Sequence, residues 1–157
     1  MQARRLLVIA TLTLGLLMNQ PSAATSPAYR GTSHVGMSRN ALERAYIEAY
    51  EQSGFRLASR KEYSNRSGFW STILEFQLSS VPKGPNAPGS TLVISGYEPG
   101  CPCEVSRETV RGLDADNPDP KARLRGFGVV IKAETAALRK VKERLGVSLP
   151  EMGIPTP

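Results

Sequence analysis

The sequence predicts an α+β domain: a small antiparallel sheet of about four strands with two amphipathic helices packed on one face, in the order α-β-β-β-β-α. Three observations carry this expectation. Phe69 to Ser79 alternates with period two, placing Trp70, Thr72, Leu74, Phe76 and Leu78 on one face. Two segments near the chain ends carry apolar residues at helical spacing. The strand candidates between them are joined by short Gly-, Pro- and Asn-containing links, which suit antiparallel neighbours.

The first helix begins near Ser38 or Asn40, and Asn40-x-x-Glu43 has the form of a capping box. Leu42, Ala45, Tyr46, Ala49 and Tyr50 fall at i, i+3, i+4, i+7 and i+8, and Gly54 is the expected stop. Phe55–Tyr63 is a strand candidate with weak alternation. Ser64–Gly68 reads as a hairpin connection in which glycine takes a positive φ. Phe69–Ser79 is the strongest strand. The stretch Val81–Ser90, with three prolines and two glycines, can only be loop. Thr91–Tyr97 is a third strand, and Glu98–Asp119 lacks a regular pattern. Phe127–Lys132 (FGVVIK) reads as a fourth strand. Glu134–Leu145 forms the second helix, with Ala137, Leu138, Val141 and Leu145 on its stripe and Gly146 as its stop.

The N-terminus has the three parts of a secretory signal peptide: Arg4 and Arg5, the uncharged run Leu6–Met18, and small residues ending at Ala24. The apolar run is shorter than the ~20 residues that span a bilayer, so cleavage after Ala24 is expected rather than anchoring. The expected organisation is a signal peptide at 1–24, a flexible lead-in at 25–37, one α+β domain at 38–147 and a Pro-rich tail at 148–157. Localisation is then periplasmic or secreted, and the leader has a bacterial look. Without the leader, 157 residues become 133 and the 20 basic residues become 18, against 14 acidic, a net charge of +4. That length suits one domain with a core of its own. The charge is too diffuse for nucleic-acid binding, and no segment after the leader is apolar enough to span a membrane.

Four groups of residues are candidates for chemistry. Cys101-Pro102-Cys103 holds the only two cysteines. In an oxidising compartment they are expected to bond to each other and shape a loop. A redox-active or Cu(I)-binding thiol pair is the alternative, since soft thiolates suit Cu(I). Asp114, Asp116 and Asp119 are spaced like calcium ligands. However, Asp119 stands where an EF-hand needs glycine and Arg125 where it needs glutamate, so a solvated loop is the expectation. Asp119-Pro120 also has the form of a helix N-cap followed by proline. His34, the only histidine, falls in the lead-in and is expected to be an exposed bystander. Lys121–Arg144 contains eight basic residues against two acidic ones, which offers Arg139, Lys140 and Arg144 as a docking face for an anionic partner.

No G-x-S-x-G or H-E-x-x-H motif is present, which removes two hydrolase classes. The sequence therefore points to an exported non-enzymatic binding module of the bacterial cell envelope, an inhibitor or accessory protein without a cofactor. Its partner would be another envelope or extracellular protein, met through the loops Val81–Ser90 and Glu98–Asp119. The alternative is a thiol-redox or Cu(I)-handling protein acting through Cys101 and Cys103.

Overall fold

Residues 31–153 are described by a computed structural model. The signal peptide expected at 1–24, residues 25–30 of the expected lead-in and residues 154–157 of the expected tail lie outside them. Seven elements follow in order: β1 (Thr32–His34), α1 (Arg39–Glu51), β2 (Phe55–Ser64), β3 (Phe69–Leu78), β4 (Gly89–Tyr97), β5 (Gly100–Arg111) and α2 (Pro120–Leu145). The strands form one antiparallel sheet in the order β1-β5-β4-β3-β2. Both helices cover the same face, so the α+β architecture is the expected one, with five strands rather than four.

The sheet grows as a meander from β2 to β5. Gly68 takes φ +82° in the β2–β3 hairpin, while the Asn65 side-chain oxygen accepts from the Ser67 and Phe69 amides. In β3 the residues Trp70, Thr72, Leu74, Phe76 and Leu78 are all buried, as period two requires. Leu92 and Ile94 of β4 and Cys103 and Val105 of β5 continue that face. Helix α1 lays Leu42, Ala45, Tyr46, Ala49 and Tyr50 onto it, so the predicted stripe is the buried one. Ser38 caps the helix by accepting from the Ala41 amide. No capping box forms at Asn40, because Glu43 turns inward to Arg39, Arg60 and Thr72.

Helix α2 is much longer than expected. It starts at Pro120, so the predicted fourth strand Phe127–Lys132 lies within it. Asp119 accepts from the Lys121 and Ala122 amides and Gly146 ends the helix at φ +79°, so both helix-end signals hold. The β-branched run was misleading because Ala122, Gly126, Val130, Glu134, Ala137, Leu138 and Val141 form one buried stripe, which includes a glycine and a carboxylate. Gly126 costs about 1 kcal/mol of helix propensity relative to alanine. It is required by a close approach: a Cβ there would stand 2.6 Å from the Asp114 amide nitrogen, and the Leu113 amide donates to its carbonyl at 3.2 Å.

Two further expectations are corrected. Gly100–Arg111, within the segment thought irregular, is strand β5 of twelve residues. Its proline was misleading: Pro102 sits in a bulge, where it withholds no ladder hydrogen bond. The segment Glu98–Asp119 is thus mostly sheet and not a recognition loop. Thr32–His34, in the expected lead-in, pairs with β5 as β1, and Thr32 donates to the Ser148 carbonyl. Leu149 of the tail is buried in the core.

Candidate functional site

At one end of the sheet the register lines up four inward-facing residues: Trp70 of β3 opposite Gly96 of β4, Gly96 opposite Cys103 of β5, and Cys103 opposite His34 of β1. Gly96 is needed because the Trp70 ring lies over it. A Cβ there would stand 2.9 Å from Trp70 Cζ2 and 3.4 Å from Cys103 Sγ. Helix α1 closes this row from above. The Arg39 guanidinium lies 4.5 Å from the centre of the Trp70 ring, and the Tyr46 hydroxyl is 3.2 Å from His34 Nε2.

The sulfurs of Cys101 and Cys103 are 2.03 Å apart, disulfide distance. On β4, Gly96 and Tyr97 are neighbours, yet their partners on β5 are Cys103 and Gly100. Cys101 and Pro102 are therefore extra residues, and the sulfurs bridge this bulge. In this form no thiolate is offered to Cu(I). Among the described residues no group of three or more His, Cys, Asp or Glu side chains is placed to hold a metal ion. Asp114, Asp116 and Asp119 do not converge: Asp119 caps α2 and Asp116 pairs with Arg111.

His34 is not an exposed bystander. It is 2 % exposed, and burial lowers its pKa from the ordinary 6.5. The unfolded chain therefore binds the proton more readily than the folded one. The stability involved is fully present above pH 6.5 and is lost as the pH falls through that value toward the folded pKa. Urea midpoints are expected to drop between about pH 7.5 and about pH 5.5, and to drop less in His34→Asn. Equal profiles would show that His34 does not control this range. The sequence held no signal for the burial, since three residues of edge strand look like any polar lead-in.

Two buried ionic clusters went unseen in the sequence because their members are far apart in it. Glu43 of α1 accepts from Arg39 at 2.9 Å, Arg60 at 2.7 Å and Thr72 at 2.7 Å, and Glu62 shares both arginines. Burial pushes the Glu43 carboxyl up, but its hydrogen bonds to Arg39, Thr72 and Arg60 outweigh this and hold it below the ordinary value. In the second cluster Glu134 of α2 accepts from Arg107, Tyr50 and Ser90. Both carboxylates are saturated by partners, an arrangement that holds elements together and leaves no base free for a substrate.

Arg139, Lys140 and Arg144 all lie on α2. Arg139 is 3.2 Å from Glu151 of the tail and Arg144 pairs with Glu48 of α1, so two of the three already have acidic partners within the chain. An open groove of about 630 Å³ between the end of β5 and the start of α2 is lined by Val110, Leu124 and Phe127. Its two arginines are engaged, Arg111 with Asp116 and the Asn86 carbonyl and Arg123 with the carbonyls of Asn117 and Pro118. Neither arginine is therefore free to orient a substrate there, and Thr109 is the one other polar side chain in the lining.

The outer face of the sheet is different in kind, since neither helix covers it. Phe69, Ser71, Ile73 and Glu75 of β3 face outward with Tyr97, Ser95, Val93 and Thr91 of β4 beside them. Tyr63 of β2 joins them opposite Ser71. Tyr63 and Tyr97 are 55 % and 61 % exposed, and the Phe69 and Tyr97 rings meet edge-on at 5.4 Å. Beside them Lys61 Nζ is 2.9 Å from Glu75, while exposed Glu104 of β5, opposite Ser95, has no ion pair among the described residues. In the sequence this face was visible as the second set of alternating residues in β3. Its aromatic corner, drawn from three strands, was not. No protein-family model, curated protein or solved structure matches the chain.

Proposed function

We propose that the chain is an exported, non-enzymatic binding module of the cell envelope, and that it meets another envelope or extracellular protein through the outer face of its sheet. The observation that carries this reading is the exposed aromatic corner Tyr63–Phe69–Tyr97 on a face left uncovered by both helices. Tyrosine and phenylalanine are enriched at protein interfaces, where they supply large contact area at low entropic cost. The size is also suitable. Four strands about 4.8 Å apart and about nine residues long at about 3.3 Å each, with the three residues of β1, make a face of roughly 600 Å². A standard interface takes about 800 Å² from each partner. Because the face carries many hydroxyls and the Lys61–Glu75 pair, with Glu104 as a carboxylate outside any ion pair, it fits a partner surface of low net charge. Export rests on the three-part leader, and no helix among the described residues is long and apolar enough to cross a membrane.

The test is capture from envelope extract by the immobilised chain starting at Thr25, compared with the Tyr63→Ser/Tyr97→Ser double variant. A specific partner should be retained by the parent chain and reduced at least tenfold in the variant, at an unchanged unfolding midpoint. Replacing Arg139 and Arg144 by glutamate should leave that partner bound. Capture lost through the arginines and retained without the tyrosines would move the interface to α2 and overturn the reading.

A further inference from the structure

We infer that the Cys101–Cys103 pair is a thiol–disulfide exchange site whose substrate is a dithiol of a partner protein, with Cys101 as the attacked sulfur and Cys103 as the leaving one. The inference is independent of the sheet-face reading and rests on the end of the sheet where the bulge sits.

The two sulfurs differ in access. Cys101 is half-buried beside exposed Pro102, whereas Cys103 is 1 % exposed beneath α1. An incoming thiolate therefore reaches Cys101 and not Cys103. What borders Cys103 is unusual in a folded core. Trp70 Nε1 and His34 Nδ1 are both buried without a hydrogen-bond partner. Each belongs to the cross-sheet row that contains Cys103. Buried donors are nearly always paired, and an exception calls for a reason such as a redox role. The Trp70 Nε1–H lacks an acceptor in either His34 tautomer, and His34 Nδ1 is a second such donor in the tautomer whose Nε2 accepts from the Tyr46 hydroxyl. A disulfide sulfur is a weak acceptor. A thiolate at Cys103 would be a strong, charged one, so opening the bond offers the Trp70 N–H, and His34 Nδ1 where it carries the proton, an acceptor in the same row and stabilises the leaving group.

The chemistry balances with one reductant. A thiolate of the partner attacks Cys101 Sγ; the Cys101–Cys103 bond breaks, a bond from Cys101 to the partner forms, and Cys103 leaves as a thiolate facing Trp70 and His34. The second thiol of the partner, once deprotonated, then attacks its own sulfur in the mixed disulfide, which releases Cys101 as a thiolate that takes a proton from water. The pair gains two electrons and, once Cys103 is also protonated, two protons; the partner becomes a disulfide. The reverse sequence oxidises a partner dithiol. Nothing else in the fold must open. The bridge closes a ring of only three residues and restrains little of the unfolded chain, and Cys101 and Pro102 have no partner residue on β4.

Trp70 is the only tryptophan and lies close to the pair, so its fluorescence follows the reaction. The purified protein is equilibrated with graded mixtures of reduced and oxidised glutathione at neutral pH, with thiols counted by alkylation and mass. The expected result is reversible reduction within the glutathione range, with the fold retained. Cys103→Ser should trap glutathione on Cys101, whereas the thiol of Cys101→Ser should be alkylated at least a hundredfold more slowly than that of Cys103→Ser. His34→Phe should shift the equilibrium at least tenfold toward the disulfide and raise the pH at which the Cys103 thiolate forms, with His34→Asn shifting it less. His34 acts here as a positioning residue. A pair that stays oxidised in reduced glutathione alone, or equal alkylation of the two single thiols, would overturn the inference. The glutathione titration of the parent protein decides the matter even if the His34 variants fail to fold.

Discussion

Arg107→Ala is expected to destabilise the protein by about 3–5 kcal/mol, the cost of leaving a buried charge without its partner. Arg107 Nε is 3.1 and 2.9 Å from the two Glu134 oxygens, and the side chains are 6 % and 1 % exposed. Arg107 also donates to the Pro150 carbonyl at 3.1 Å, which ties the tail to β5. Tyr50 at 3.0 Å and Ser90 at 2.7 Å complete the shell of Glu134. Burial first, and then the neighbouring Glu134 charge, push the Tyr50 phenol well above its ordinary value, so it remains a donor throughout the accessible pH range. Replacing both ions, as Arg107→Met with Glu134→Leu, should recover most of the loss, because apolar groups of similar volume often substitute for a buried pair at little cost. Urea unfolding of the two variants checks this. A cost below about 1 kcal/mol for Arg107→Ala would mean that water reaches the pair.

Phe76→Ala should cost about 3–5 kcal/mol, the range for deleting a large aromatic from a core. Phe76 is 2 % exposed, its ring stacks on Tyr50 at 4.3 Å with planes 26° apart, and Phe55 stands edge-on at 6.5 Å. The cavity would open where α1 meets β2 and β3, two rigid elements that cannot collapse into it easily. Glu75→Ala, one residue away on the outer face, should leave the unfolding midpoint nearly unchanged, since Glu75 meets only exposed Lys61 there. Equal losses at the two positions would contradict the register of β3 with β4.

Legibility in the sequence followed the range of the interactions involved. The β3 alternation, the α1 stripe, the Asn65–Gly68 turn, the Asp119 cap and the Gly54 and Gly146 stops are set by residues within a few positions of one another, and all were visible. The pairing of Cys101 with Cys103 was equally local. Strand β5 was missed because local proline and acidic residues suggested irregularity, although β4 supplies its hydrogen bonds along nearly its whole length. The first half of α2 was missed because Gly126 and Glu134 broke the apolar pattern.

By itself, then, the sequence determined the α+β class, the faces of β3 and α1, and most turns, because steric preference and apolar spacing act along the chain. Only the tertiary structure decided that Glu134 is inside, since a carboxylate is buried only where Arg107, Tyr50 and Ser90 converge from three other elements. It likewise decided that Gly126 lies in a helix, because the loop after β5 approaches too closely for any side chain. Above all it placed His34 and Trp70 beside Cys103. That row runs across β1, β5, β4 and β3, and its members come together only through strand register, an interaction between segments up to 69 residues apart, from His34 to Cys103.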